Sequence, residues 1–214
     1  MTGDVPLYNE RIMPDGDGNG ERYERGKVFE GGASYALCRC GQTGSRPFCD
    51  GTHTAIGFEA PEVANRACYC DCARVYEGGT IDLLDRTDLC VTARFCDRFG
   101  NAWRLTLKSA EDHPEYEEQA VDQAAHCPGG RLTVRKDGIE IEPELAKEIG
   151  LLEDVYYETK GPIFVKGGIT LEGGNGAEYE IRNRRALCRC GESRNMPFCD
   201  GRHLHTKHMK GLDE

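Results

Sequence analysis

Short β-type runs broken by glycine turns dominate the pattern of hydrophobic and polar positions along the chain. The run IFVKGGITLE (163–172) is rich in β-branched and aromatic residues, GGNG (173–176) supplies turn glycines, and AEYEIRNRRALC (177–188) is a second extended run. Together they predict a β-hairpin. An earlier segment, VPLYNERIMPDGDGNGERYE (5–24), parallels this one. Pro6 matches Pro162, Asn19-Gly20 matches Asn175-Gly176, and Tyr23-Glu24 matches Tyr179-Glu180. The earlier copy then carries a short insertion around GKVFEGGAS.

The pattern changes between the copies. RVYEGGTIDLLDR (74–86) predicts a strand, LCVTARFCDRFGNAW (89–103) a cysteine-bearing loop, PEYEEQAVDQAAHC (114–127) a helix, and RLTVRKDGIEIEP (131–143) a further strand. In the helix Tyr116, Val121, Ala124 and Ala125 share one face, and Pro128 and Gly129 stop it. Trp103, the only tryptophan, reads as core. The chain divides into units at 1–60, 66–150 and 160–214, an α+β organisation.

Its 214 residues allow one or two ordinary domains or three small ones. A hairpin with a loop is too small to bury a sufficient core, so a metal centre must help hold it. The 12 cysteines fit that need. No run reaches the roughly 18 apolar residues of a membrane helix, and MTGDVPLYNE has no basic region followed by an apolar one. A cytoplasmic chain is expected, in a compartment where cysteines bind metal more readily than they form disulfides. The net charge of −10, with no Lys/Arg cluster, argues against nucleic acid and suits a carrier that docks on basic partners.

Each copy leads into a cysteine-rich loop. The first is CRCGQTGSRPFCDGTH (38–53) and the second CRCGESRNMPFCDGRH (188–203). Both space their ligands Cys-x-Cys, then eight residues, Cys, then three, His. Zinc or an iron–sulfur cluster would accept this set of soft and borderline ligands. Cys-x-Cys is a poor zinc-finger start, where two to four intervening residues are usual. Neighbouring thiolates can instead both reach one iron, leaving Cys49 and His53 for another.

These residues resemble the CDGSH iron–sulfur (mitoNEET-like) family, whose motif is Cys-x-Cys-x2-(Ser/Thr)-x3-Pro-x-Cys-Asp-Gly-(Ser/Ala/Thr)-His. The first copy matches throughout, including Thr43, Pro47 and Thr52. The second matches through Ser193 and Pro197 but has Arg202 where a small residue is expected. The resemblance implies two 2Fe–2S clusters, one held by Cys38, Cys40, Cys49 and His53, the other by Cys188, Cys190, Cys199 and His203. Single-motif members are homodimers, so two copies in one chain imply an intramolecular pseudo-dimer in a monomer. Asp50 and Asp200 stand where a helix would begin and are expected to cap it, with its positive end toward the cluster. Gly51 and Gly201 permit close backbone approach, and Pro47 and Pro197 stiffen the loop.

Replacing one thiolate by neutral imidazole removes a negative charge and eases electron uptake. Rieske centres, with two His, lie at about −150 to +300 mV against about −400 mV for all-Cys plant-type clusters. One His should fall between. Histidine also titrates near neutrality, so the ligand set allows proton-coupled redox and acid-triggered release. Arg202 is expected near the second cluster, raising its potential and slowing its loss in acid.

The middle unit resembles the divergent mono-cluster ferredoxin domain, carried by Cys90-x5-Cys96 and Cys127-Pro128. Ala93 stands where a bacterial ferredoxin loop would have another Cys. The resemblance implies a 3Fe–4S cluster on Cys90, Cys96 and Cys127, or a 4Fe–4S cluster with a fourth ligand from elsewhere, such as Cys68, Cys70 or Cys72. The run ACYCDC that contains them is otherwise unexplained. His205 and His208 read as solvated tail residues. No nucleophile–base pair, phosphate loop or flavin motif is evident. The reading is therefore a carrier rather than an enzyme. Its task is electron transfer, or redox- and pH-dependent cluster storage and transfer, toward a redox partner or cluster-accepting protein. A zinc-stabilised interaction module and an oxidoreductase subunit using the clusters as internal wires are the alternatives.

Overall fold

A computed structural model describes residues 1–213. In the first copy β1 (Leu7–Pro14) and β2 (Gly20–Phe29) pair antiparallel about the turn that begins at Asp15. The carboxylate of Asp15 accepts the amides of Asp17 and Asn19 and so holds that turn. The insertion around GKVFEGGAS extends β2 to Phe29. A single helical turn, α1 (Thr52–Ala55), ends the cysteine loop, and another, α2 (Tyr69–Cys72), lies in ACYCDC.

The middle unit is a four-stranded antiparallel sheet of β3 (Arg74–Glu77), β4 (Asp82–Asp85), β5 (Leu132–Lys136) and β6 (Ile139–Ile141), in that order. Both strands expected here are hairpins instead. Gly78-Gly79 breaks the first run, and the left-handed pair Asp137-Gly138 folds the second back on itself. The helices α3 (Ala102–Leu107) and α4 (Pro114–Ala125) cover the sheet. The sequence pattern gives no sign of α3. Asn101 caps it by accepting the Arg104 amide at 2.9 Å. The buried face of α4 carries Ala120, Gln123 and Ala124, with Tyr116 and Val121 at its flanks.

The remaining strands belong to a second sheet. They are β7 (Ile149–Asp154), β8 (Thr159–Lys166) and β9 (Arg184–Leu187), and the order is β2-β1-β7-β8-β9. Here β7 runs parallel to β1 and antiparallel to β8. The hairpin expected at 163–188 is displaced: left-handed Gly167 and Gly168 end β8, and GGNG closes only a small bridge between Glu172 and Glu178. Both copies therefore contribute to one sheet, with β7 between them. Ile163, Leu187 and Phe198 from the second copy and Leu151 from β7 pack with Leu7 and Tyr35 from the first.

A fully buried side chain ties the middle unit to this sheet. Arg184, on β9, is 1% exposed and pairs with Glu142 at 2.8 Å. Its guanidinium also donates to the carbonyls of Ala124, Ala125, Cys127 and Leu132. The first three are carbonyls at the C-terminal end of α4, where a cation is favoured. The turn after Cys127 lies against the β9 backbone: a Cβ at Gly130, whose φ is +61, would come 2.5 Å from the Arg184 carbonyl. Arg184→Ala would leave Glu142 and these carbonyls without their shared cation. We predict a loss of about 3–5 kcal/mol, read by denaturant unfolding, with Arg184→Lys recovering only part because an ammonium lacks the planar fork.

Candidate metal centres

The two cysteine loops share one wiring scheme. In the first, the Cys38 amide donates to the Pro47 carbonyl at 2.9 Å and the Cys49 amide to Ala36 at 2.8 Å. In the second, Cys188 donates to Pro197 at 2.9 Å and Cys199 to Ala186 at 2.8 Å. Thr43 and Ser193 each donate from the hydroxyl to the following Phe carbonyl, Phe48 or Phe198. Both X–Pro bonds, at Pro47 and Pro197, are cis. Asp50 accepts the Gly44 and Thr52 amides, and Asp200 the Arg194 and Arg202 amides. Hydrogen bonding from the Thr52 side chain, then from the Thr52 and Gly44 amides, holds the Asp50 carboxyl well below the usual carboxylate range.

The aspartates thus clasp the loop instead of capping a long helix. The residue at the helix boundary is glycine, left-handed at Gly51 (φ +87) and Gly201 (φ +84). Only one turn comes after it: α1 in the first copy, a 3-10 turn over Arg202–His205 in the second. A helix dipole of the expected strength is therefore absent.

In both loops the candidate ligand residues stand in pairs. Cys38 and Cys40 sulfurs are 3.6 Å apart, and the Cys49 sulfur is 3.3 Å from His53 Nδ1. In the second copy the distances are 3.7 Å for Cys188–Cys190 and 3.4 Å for Cys199–His203. Among the described residues no group of three or more His, Cys, Asp or Glu side chains converges on one ion position. The Cys190 thiol, hydrogen-bonded to Cys188, lowers the Cys188 pKa, while that bond and burial hold Cys190 up. Burial pushes Cys199 up and lowers His203 to about 4, which keeps its ring neutral and a nitrogen lone pair free.

The loops also touch each other. Arg39 reaches across to donate to the Cys188 and Pro197 carbonyls at 2.6 and 2.9 Å. A Cβ on Gly41 would meet the Cys190 carbonyl, and one on Gly191 the Cys40 carbonyl, each at 3.2 Å. His208 is not a free tail residue: its Nε2 bonds the Cys190 carbonyl at 2.9 Å, and buried Met209 packs on Cys188 and Cys190. His205 is exposed. Arg202 turns to Asp200, with Nε 3.1 Å from the carboxylate, so its charge is spent locally.

Cys90, Cys96 and Cys127 all line one cavity of about 180 Å³ in the middle unit. Arg131, Trp103 and Asp97 share the lining. Trp103 is thus a cavity wall as well as a core flank. Buried Asp85 fixes two of these groups. It takes both arms of Arg131 at 2.6 and 2.8 Å and the indole N–H of Trp103 at 3.1 Å. Burial holds Cys96 up at about 12. Cys68, Cys70 and Cys72 are exposed and do not line the cavity. Cys70 bonds Glu140 and Cys72 contacts Asn65, so α2 supplies no fourth ligand there. Asp97 is not singled out by the sequence pattern, although its place beside Cys96 is a usable signal.

No helix among the described residues is long and apolar enough to cross a membrane. Comparison with curated proteins and with solved structures finds no match. Comparison with protein families does find matches. Residues 1–54 and 160–204 match the iron-binding zinc finger, CDGSH type, and residues 76–137 match the divergent 4Fe-4S mono-cluster family. These matches fall on the two paired-ligand loops and on the three-cysteine cavity, and the chain is accordingly a CDGSH-type iron–sulfur protein whose two CDGSH segments flank a divergent 4Fe-4S mono-cluster domain.

Proposed function

We propose that the chain carries two 2Fe–2S clusters, on Cys38, Cys40, Cys49 and His53 and on Cys188, Cys190, Cys199 and His203. It serves in electron transfer or in redox-dependent storage and transfer of clusters. The pairing of the ligands carries this reading. Two sulfurs about 2.3 Å from one tetrahedral metal lie about 3.8 Å apart, and a sulfur and an imidazole nitrogen about 3.5 Å apart. The distances of 3.6 and 3.7 Å, and of 3.3 and 3.4 Å, fit one metal per pair. Two pairs call for two metal atoms. A single structural zinc would draw all four ligands to one point, so the zinc-stabilised alternative is disfavoured. When bound, a 2Fe–2S core supplies a one-electron couple; the chain holds it and, through one neutral imidazole, sets its charge.

An intramolecular pseudo-dimer has support from the sheet. Strand β1, which follows Pro6, and strand β8, which holds the matched Pro162, lie on either side of β7. β1 and β8 run in opposite directions across β7, as a twofold axis normal to a sheet requires. Contacts between the loops are reciprocal at Gly41 and Gly191. Arg189, the counterpart of Arg39, lies with Cys38 and Pro47 in one crevice. A monomer carrying −10 suits a basic redox partner or a basic cluster acceptor.

The middle cavity fits a third centre, of 3Fe–4S or 4Fe–4S type, on Cys90, Cys96 and Cys127. Arg131 places a fixed cation beside the Cys90 sulfur. Of the other lining side chains, only the Asp97 carboxylate is an ordinary iron ligand, so it is the candidate for a fourth position.

Anaerobic purification with iron and sulfide counts, and EPR of the reduced protein, test the reading. Two 2Fe–2S signals are expected; zinc without labile sulfide would overturn it. His53→Cys should keep a cluster and move its potential toward the about −400 mV of all-Cys sites, measured by redox titration. Iron beyond two 2Fe–2S clusters should vanish in Cys127→Ser, and Asp97→Ala should leave a 3Fe–4S signal in the oxidised protein. Asp85→Ala should cost about 3–5 kcal/mol by stranding Arg131 and shift the fluorescence of Trp103.

A further inference from the structure

The two CDGSH loops are wired alike but are not equally covered. His53 is exposed and Cys49 half-buried, whereas Cys199 is 2% and His203 4% exposed. Gly51 and Gly201 supply an internal control. They hold the same place and nearly the same φ, yet a Cβ on Gly51 would meet nothing within 4 Å. A Cβ on Gly201 would lie 2.9 Å from Thr92 Oγ1 and 3.3 Å from Thr92 Cγ2. The difference is the cysteine loop of the middle domain. Val91, Ala93 and Phe95 pack in one cluster with Cys199, and Asn195 donates to the Asp88 carbonyl at 2.7 Å.

That loop is held in place at a conformational cost. Thr92 (φ +58) and Arg94 (φ +62) are both left-handed, and a β-branched residue there is a true outlier. Arg94 secures the loop to the shared sheet through two bonds to Asp154, at 2.8 and 3.2 Å, and one to the Gly18 carbonyl at 2.8 Å.

We propose that the middle domain caps the C-terminal CDGSH site and retains its cluster, while the open N-terminal site is the one that exchanges. The partner is a protein that presents cysteine ligands. Cys38, Cys40, Cys49 and His53 yield to the acceptor's ligands one for one. The incoming thiols release their protons, the three departing cysteines take up three, and any remaining proton goes to water. The cluster passes whole, and no electron is gained or lost. Cys38 and Cys40 are 5% exposed, so an acceptor enters at Cys49 and His53. This assignment rests on the reading that both sites hold 2Fe–2S clusters.

The test compares the full chain carrying Cys199→Ala, which leaves the N-terminal site, with the full chain carrying Cys49→Ala, which leaves the C-terminal site. An iron chelator should bleach the first at least tenfold faster than the second. Equal rates, or the reverse order, would overturn the partition. Thr92→Gly with Asn195→Ala removes cover without disfavouring the left-handed backbone; added to Cys49→Ala it should speed loss from the C-terminal site severalfold, and an unchanged rate would count against the cap. Iodoacetamide labelling of the metal-free wild-type chain, read by mass spectrometry, supplies an independent measure. Cys49 should react at least tenfold faster than Cys199, and equal labelling would refute the cap. A chain that binds zinc in place of iron would instead overturn the cluster reading, while the labelling contrast would persist.

Discussion

Arg184 is the constraint on which the arrangement of centres depends. It leaves β9 just before Cys188 and inserts among the carbonyls that close α4, one of them belonging to Cys127. The strand that leads into one cysteine loop therefore also holds the backbone of Cys127 in the middle cavity. A lysine could neutralise the same helix end but could not address several carbonyls and a carboxylate in one plane. Burial strengthens each of these contacts and makes their loss costly.

Around that anchor the loops solve a local problem. A cysteine loop must hold two thiols together and a third beside an imidazole before any metal arrives. Here the clasp formed by Asp50 or Asp200, the Thr43 or Ser193 hydroxyl and the paired backbone bonds does so without a helix of useful length. The middle cavity uses another means. Asp85 locks Arg131 and Trp103 as walls, so positive charge faces the thiols from a fixed position.

Duplication supplied two equal loops, and packing made them unequal. The thiol pairs of both copies are buried, but only the second copy has the middle domain laid over its Cys–His pair. Arg202, which the sequence singles out as the difference, is answered by Asp200 two residues away. Burial by a neighbouring domain outweighs a partly exposed charge that already has a partner.

The two cysteine loops and the three cysteines of the middle unit were legible in the sequence as candidate metal sites, because metal-binding residue types recur at spacings set by local chain geometry. The hairpin of the first copy was legible for a similar reason: alternation and turn residues act over a few positions. Strand β7 was not. Its run IGLLED is buried at every position, charges included, and its acids find Arg11 and Arg94 from distant segments. The end of β8, the two hairpins that look like single strands, and helix α3 were also hidden, each turning on a few backbone angles. His208 and Asp97 looked like tail and loop until folding brought them to Cys190 and to the cavity. Local spacing determined which residues could bind metal. Long-range packing alone decided which of those sites faces solvent, because burial depends on segments that are neighbours in space and remote in the chain.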